Sequence, residues 1–349
     1  MINAKRKQQY LEVMATHGWD VLVLYGQSWR KDYFRSLVNY NFFGPHAAAA
    51  LYRSGELQIL VEHPWDFQNL RNAVDALFPV LDFTAFEFSK TAVAGMELME
   101  ARFVQPNFVS ATTLVEAMRR IKTPEEIGIL RQAALLADAG YQHFVDTIHV
   151  GMAEYELVAE VEGFLKERGA EDNFMLIGSG GAEVFGMRPP TERRFQKGDN
   201  VTTELSPQVS GYYAQICRTL VLGEPSENQT RSFSIFREAQ QAAEDFLKPG
   251  VNIRDVARVQ NDVFRREGFG EYTGSKYTRV RGHNLGLHPD ENPYVLEDVD
   301  CIVEEGMVLI AHPNTYLPLS GYMVFGDTLV VTADGCKRLG QTEKRLFSK

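Results

Sequence analysis

The segment Thr123-Pro124-Glu125-Glu126 is a strong helix start, because it carries three separate helix-start features. The threonine can cap a helix, proline suits the first helical position, and a glutamate three residues after the cap closes a capping box. Apolar residues then recur at helical spacing, at Ile127, Leu130, Ala134 and Ala137. The segment therefore predicts a long helix that opens a second domain, so we place the domains at residues 1–120 and 121–349.

The two sides of that boundary have different patterns. Residues 1–120 alternate strand and helix signals, which favours a small α/β domain. Residues 121–349 interleave helices with antiparallel strand segments, which predicts an α+β domain rather than a parallel nucleotide-binding sheet. The run Gly178-Ser179-Gly180-Gly181 lacks the strand-to-helix setting and the lysine of a phosphate-binding loop. The predicted fold class is α+β, preceded by a smaller α/β domain.

The composition excludes several classes of partner. The 349 residues carry a formal net charge of −10, which argues against binding to nucleic-acid phosphates. No apolar run approaches the roughly 18 residues of a membrane span, so we expect no membrane partner. The 3 cysteines are too few for a disulfide framework or a thiolate zinc site. We expect a cytoplasmic protein that acts on a small molecule.

Several motifs follow one another, across residues 119–335, in the order and spacing of a known family. They are residues 121–126, Gly198-Asp199, Gly211-Tyr212-Tyr213, Arg218-Thr219, Lys248-Pro249-Gly250, residues 282–287, Gly306-Met307-Val308, Pro313 and residues 327–332. Together they resemble the pita-bread family, which includes aminopeptidase P, prolidase, methionine aminopeptidase and creatinase. The resemblance implies a pita-bread catalytic domain over residues 121–349, a creatinase-type α/β domain over residues 1–120, and a homodimer.

The resemblance also implies a site in the concave C-terminal sheet. Peptidases of the family hold two divalent metals there, on two aspartates, one histidine and two glutamates. The same positions here carry Glu204, Gln215, His283, His312 and Gly326, of which only the histidine at 283 is unchanged. Gln215 is neutral and Gly326 has no side chain, so two neighbouring metals would lack anionic bridges. We therefore expect no cofactor and no ordinary Xaa-Pro aminopeptidase activity.

Creatinase is the member of the family that catalyses its reaction without a metal ion. This sequence is similar to creatinase around Ser206-Pro207 and Gly211-Tyr212-Tyr213. The favoured hypothesis is a creatinase-like, metal-independent hydrolase that cleaves a C–N or similar bond in a small polar metabolite bearing a carboxylate. In it, His283 acts as the proton shuttle. His312 precedes a proline and is expected to point into the same cavity. Glu204 is expected to be a buried carboxylate that needs a partner.

Two alternatives stay open. Glu204, His283 and His312 have the two-histidine, one-carboxylate chemistry of a mononuclear iron site, so one alternative is a metalloenzyme or lyase that holds a single divalent metal such as iron. The other alternative is a non-catalytic pita-bread domain that binds a peptide or protein. Metal content and the effect of His283→Ala on turnover separate the three hypotheses.

Further residues around the same site are predicted to bind substrate. Gln215 can both donate and accept hydrogen bonds, which suits an amide or carboxylate. Arg193 offers a guanidinium, the usual clamp for a substrate carboxylate. Tyr213, Glu291 and Asp327 lie in or beside the resembling motifs and complete the predicted set.

Overall fold

A computed structural model describes every residue of the chain, from Met1 to Lys349. The chain divides into two compact units, Met1–Arg119 and Arg120–Lys349. Both units combine helices with a sheet. None of the helices is both long enough and apolar enough to cross a membrane.

The N-terminal unit is built on a mixed sheet of six strands. Its helices are α1 (Ala4–His17), α2 (Asp32–Leu37), α3 (Pro64–Leu70) and α4 (Thr112–Arg120). Its strands are β1 (Val21–Gln27), β2 (His46–Tyr52), β3 (Leu57–Val61), β4 (Leu77–Phe78), β5 (Thr91–Ala94) and β6 (Val109–Ser110). The strand order is β4-β3-β2-β1-β5-β6, with β1 antiparallel to β2 and parallel to β5. The α/β fold predicted for this part of the chain is confirmed.

A buried ion-pair cluster lies in this unit, at the start of α2. The Asp32 carboxylate, only 3% exposed, accepts a hydrogen bond from Arg119 at 2.7 Å and another from Arg30 at 3.0 Å. Arg119 is also buried, whereas about a third of the Arg30 side chain is exposed. A buried charge needs such partners, because leaving water without them is costly.

The C-terminal unit contains the larger sheet and four helices. The helices are α5 (Pro124–Thr147), α6 (Glu154–Glu167), α7 (Glu227–Phe246) and α8 (Ile253–Arg266). The first strands are β7 (Asp172–Gly180), β8 (Asn200–Val209), β9 (Tyr212–Tyr213), β10 (Ile216–Val221), β11 (Gly282–Asn284) and β12 (Glu291–Tyr294). The others are β13 (Val308–Ala311), β14 (Asn314–Leu317), β15 (Gly321–Val324), β16 (Gly326–Val331), β17 (Cys336–Arg338) and β18 (Phe347–Ser348).

The main path of the large sheet runs β12-β11-β13-β16-β10-β8-β7. Strands β9, β17 and β18 pair with β8, β16 and β10, while β14 and β15 form a separate hairpin. Neighbouring strands of the main path are antiparallel, as in the β8–β10 and β13–β16 pairs. The predicted α+β architecture is confirmed.

Helix α5 begins where the capping signal predicts. The Thr123 side chain accepts a hydrogen bond from the Glu126 amide at 3.3 Å, and the Glu126 carboxylate accepts one from the Thr123 amide at 2.7 Å. The two bonds satisfy amide groups that a helix N-terminus otherwise leaves without partners. The helix then runs 24 residues to Thr147, and Tyr141 and Phe144 pack in the core beneath it.

The helices pack on residues that alternate with the site residues along the strands. Leu205 of β8 lies in one core cluster with residues of α5 and α6, and Leu309 and Leu329 lie in another with residues of α7 and α8. Successive residues of a strand point to opposite faces of the sheet. Glu204 and Thr328 therefore point away from these helix-packed clusters.

Candidate active site

Strand register brings the two principal polar residues of the site to the same face of the sheet. Glu204 on β8 pairs with Cys217 on β10, which in turn pairs with Gly326 on β16. His283 on β11 pairs with Ile310 on β13, which pairs with Thr328, two residues from Gly326 on β16. Directly paired residues share a face, as do residues two apart on one strand, so Glu204 and His283 lie on the same face of the sheet.

His283 is buried and has a polar partner at each ring nitrogen. Its Nε2 lies 2.9 Å from Asp290 Oδ1, and its Nδ1 lies 2.9 Å from the backbone oxygen of Asn284. Burial opposes the charged imidazolium, but the hydrogen bond to Asp290 and the negative charge of that carboxylate raise the pKa of His283 above its ordinary value. Because both neighbours are acceptors, the imidazolium is the form that satisfies both nitrogens.

His312, in contrast to His283, has no polar partner for its ring. Its ring lies 5.2 Å from the ring of His283, and both of its nitrogens are buried without a hydrogen-bond partner. Burial, followed by the positive charge of His283, lowers the pKa of His312 to about 3. At neutral pH the His312 ring is therefore neutral and carries a free acceptor, whereas the partners of His283 favour its charged form.

Glu204 is a buried carboxylate without a cationic partner in hydrogen-bond contact. Burial is the largest influence and raises the pKa of Glu204 to about 7, while the charge of His283 and a hydrogen bond from Gln215 act in the opposite direction. Gln215 is fixed through its backbone, which donates to Thr328 Oγ1 at 2.9 Å. The Gln215 Oε1 atom is buried without a partner. A carboxyl that titrates near neutral pH can both take up and return a proton.

Asp290, which contacts His283, was absent from the residues predicted to form the site. The sequence prediction named its neighbour Glu291, which instead accepts a hydrogen bond from Lys122 at 3.2 Å. The sequence signal was present, since Asp290 and Glu291 both follow the motif that contains His283. The turn between β11 and β12 decides which of the two carboxylates faces the imidazole, and turn geometry of this kind is not encoded in spacing.

Three other predicted substrate-binding residues have partners within the protein. Each is engaged in a charged or polar contact that holds it in place, at a distance typical of a strong hydrogen bond. The pairs are Arg193 with Asp199 at 2.6 Å, Tyr213 with Asp172 at 2.9 Å, and Asp327 with Arg218 at 2.8 Å. Asp199 and Arg218 already balance the charges of Arg193 and Asp327.

A cavity of about 400 Å³ lies beside the end of β7. Its lining consists of Gly178, Ser179, Glu183, Val184, Phe185, Gly186, Met187, Arg188 and Arg193. Gly178 pairs with Thr202, which is two residues from Glu204 along β8. The backbone of Val184, in turn, accepts a hydrogen bond from the Tyr322 amide at 2.9 Å. The cavity therefore adjoins the strand that carries Glu204.

Comparison with known proteins places the large unit in a peptidase family. The model of metallopeptidase family M24 matches residues 128–333, more than half of the chain. An Xaa-Pro dipeptidase of Pyrococcus furiosus is 31% identical over 242 residues, which cover 69% of this chain and 68% of that protein. The Xaa-Pro dipeptidase of Pyrococcus horikoshii is 32% identical over the same length, with the same coverage.

These relatives correct two sequence expectations. The hypothesis of a creatinase-like, metal-independent hydrolase is wrong, because the relatives are named Xaa-Pro dipeptidases, the activity that the sequence reasoning set aside. The expectation that no cofactor is needed is also wrong for a member of a family described as metallopeptidases. Both errors came from weighing four changed positions above a similarity that extends over most of the chain.

The family implies a metal, and the side chains at this site do not fit the two-metal centre. The chain contains no group of three or more His, Cys, Asp or Glu side chains that could hold a metal ion, so Glu204, His283 and His312 do not form one. The position of the second family glutamate, Gly326 in this chain, also has no room for a side chain. A Cβ atom built on Gly326 would lie 2.4 Å from the His312 Cβ and 2.7 Å from the Ala311 oxygen, well inside contact distance.

Solved structures extend the similarity to the N-terminal unit. An Xaa-Pro dipeptidase from Bacillus anthracis superposes with a TM-score of 0.84 and 26% identity, covering 99% of this chain and 100% of that one. The prolidase of Pyrococcus horikoshii has the same fold, with a TM-score of 0.83 and 24% identity over 98% of this chain and 100% of that chain. From the matched family model, the two Pyrococcus relatives and this shared fold, we conclude that the chain belongs to metallopeptidase family M24.

Proposed function

We propose that this protein hydrolyses the amide bond of a small dipeptide, with Glu204 and the His283–Asp290 pair as its polar reaction groups. Dipeptides of the Xaa-Pro type are the substrates that the names of its relatives indicate. The observation that carries the proposal is Glu204, a buried carboxyl whose pKa of about 7 suits proton transfer at neutral pH.

Hydrolysis adds water across the C–N bond, and Glu204 suits both proton transfers that this requires. As a carboxylate, it accepts a proton from the attacking water while the new C–O bond forms at the carbonyl carbon. The protonated Glu204 then gives that proton to the leaving nitrogen as the C–N bond breaks. The carboxyl ends the cycle in its starting state, and the products are two amino acids.

The His283–Asp290 pair supplies fixed charge in the same place. The imidazolium of His283 stabilises negative charge that develops on the carbonyl oxygen in the transition state. Asp290 holds the ring at 2.9 Å and favours its protonated form, so the effect of Asp290 passes through His283. Asp290 is in that sense a positioning residue.

His312 and Gln215 offer acceptors to the substrate. The ring nitrogens of His312 and the Oε1 atom of Gln215 are buried without partners, and such atoms destabilise a protein unless a bound group satisfies them. Hydrogen-bond donors of a dipeptide, such as its amino group, match these acceptors. Their contribution is expected mainly in substrate affinity.

The experiment that tests the proposal is an assay with a panel of Xaa-Pro and other dipeptides, run both after chelation and with added Mn²⁺. We expect Glu204→Gln to lower kcat at least about 100-fold, the low end for a positioned acid–base group. Glu244→Gln is the matched control, because Glu244 pairs with Lys344 in another part of the unit. Absence of dipeptide hydrolysis under all these conditions, or full activity of the Glu204 variant, would refute the proposal.

A further inference from the structure

We propose that the 400 Å³ cavity beside β7 is a carboxylate-binding subsite and that the Arg188 guanidinium binds the carboxylate there. The inference rests on the proposed function, since it assigns one end of the same small substrate. It differs from the sequence prediction, which gave this role to Arg193.

Arg188 is the arginine of this segment whose guanidinium has no partner. Arg193 is engaged by Asp199 through two hydrogen bonds, at 2.6 and 3.0 Å. Arg194 donates to a backbone oxygen and lies 3.6 Å from the carboxylate of Glu156. Arg188 is held only through its backbone, which exchanges two hydrogen bonds with Ile177. Its planar side chain is therefore free to bind a carboxylate with two parallel hydrogen bonds.

Part of the cavity wall is apolar. Val184, Phe185 and Met187 line it together with Arg188. The Phe185 side chain is 62% exposed, yet its ring is fixed by stacking on Tyr316, with ring centres 4.3 Å apart. A rigid apolar wall beside a free cation matches a carboxylate that is attached to a compact apolar residue.

A carboxylate of the protein limits how much negative charge the cavity accepts. Glu183 also lines the cavity, and its carboxylate accepts a hydrogen bond from the Gly181 amide at 3.0 Å. That bond lowers the pKa of Glu183, so the group is ionised at neutral pH. Arg188 is thus the free cation of this wall that attracts a carboxylate, whereas Glu183 repels further negative charge, which favours a ligand that places one carboxylate here.

The position of the cavity agrees with the length of a dipeptide. Gly178, on the cavity wall, pairs with Thr202, and Leu176 pairs with Glu204. Two residues along a strand correspond to roughly 7 Å. A substrate with its carboxylate in the cavity would therefore place its amide bond towards Glu204.

The experiment measures binding rather than turnover. The probes are an Ala-Pro analogue in which a CH₂ group replaces the scissile carbonyl, and the C-terminal amide of the same analogue; calorimetry gives the Kd of each. We expect the unmodified protein to bind the acid at least about tenfold more tightly than the amide. Arg188→Gln should abolish this preference, and Arg188→Lys should retain part of it.

Arg194→Gln is the matched control, because it removes an exposed arginine from the same segment and should leave the preference unchanged. Equal affinity of the unmodified protein for acid and amide, no binding of either, or a preference that survives in Arg188→Gln would overturn the assignment. The result is independent of the proposed function: loss of the preference in Arg188→Gln supports the subsite even where no dipeptide is cleaved, and cleavage without that loss supports the function alone.

Discussion

Asp32 in the N-terminal unit and Glu204 in the C-terminal unit are both buried carboxylates, with 3% and 8% of their surface exposed. Their ionisation is shifted in opposite directions. For Asp32, burial alone would raise the pKa, but the charges and hydrogen bonds of Arg119 and Arg30 lower it to about 2. For Glu204, burial prevails and raises the pKa to about 7. The cations within hydrogen-bond distance, rather than the depth of burial, decide which carboxylate is structural and which can exchange protons.

The first prediction tests this comparison by removing the paired carboxylate, that of Asp32. We expect Asp32→Asn to lower the free energy of unfolding by about 3–5 kcal/mol, because the buried Arg119 would lose the carboxylate that lies 2.7 Å from it. Urea denaturation at neutral pH measures the effect. Arg30→Gln should lower the free energy by no more than about 1 kcal/mol, since Arg30 is partly exposed. Similar losses in the two variants would mean that Arg119 does not depend on Asp32.

The same pair predicts how stability responds to acid. The pKa of Asp32 is lower in the folded chain, at about 2, than its ordinary value of 3.8. Its contribution is therefore complete above pH 3.8 and is lost as pH falls through about 2. In Asp32→Asn, that part of the acid-induced loss should be absent.

The second prediction concerns Glu204, for which stability should fall, rather than rise, as pH increases. Its folded pKa of about 7 exceeds the ordinary value of 4.5, so its contribution to stability is complete below pH 4.5 and is lost as pH rises through about 7. We expect Glu204→Gln, which is neutral at every pH, to be more stable than the parent protein by about 3 kcal/mol at pH 8. Near pH 5, urea denaturation should show little difference between the two. A variant less stable than the parent at pH 8 would show that the ionised carboxylate has a partner after all.

The third prediction has the smallest effect and sharpens the account of Glu204. The positive charge of His283 lowers the pKa of Glu204, so His283→Gln should raise that pKa, by an amount equivalent to about 1 kcal/mol. ¹³C NMR of protein labelled in its glutamate carboxyls reports the titration, and the Glu204→Gln spectrum identifies the signal. His149→Gln, at an exposed position, is the control. A midpoint that is unchanged or lower in His283→Gln would contradict the predicted coupling.

Local features of the fold were predictable, because their causes are local. Thr123 and Glu126 form the capping box within four residues of chain, and α5 begins where that signal places it. The alternation of Glu204 with the apolar Leu205 likewise follows from the geometry of any strand. The family resemblance supplied the pita-bread fold of the large domain, whereas the order of its strands was not predicted.

Several properties of the site depend on contacts between distant residues and could not be predicted in this way. The pKa of His312 falls to about 3 because it is buried beside the charged ring of His283, 5.2 Å away on a neighbouring part of the sheet. Arg193 was predicted to bind substrate, but its guanidinium is paired with Asp199. Asp199 lies six residues further along the chain and faces Arg193 only after the segment folds back. Substrate chemistry was misjudged for a related reason, since changed ligand positions say what a site has lost and not what it does.

The approach of Gly326 to His312 determines how far this chain could be redesigned. A side chain at 326 would clash with the Cβ atom at position 312, and every residue except glycine carries that atom. A carboxylate could therefore not be reinstated at 326 by substitution alone, because β16 and the chain around residue 312 would first have to move apart. At the other altered ligand positions a substitution would change only the side chain, whereas at 326 the backbone would have to move as well. An engineer who wished to rebuild a two-metal centre would have to begin with strand spacing and add ligands afterwards.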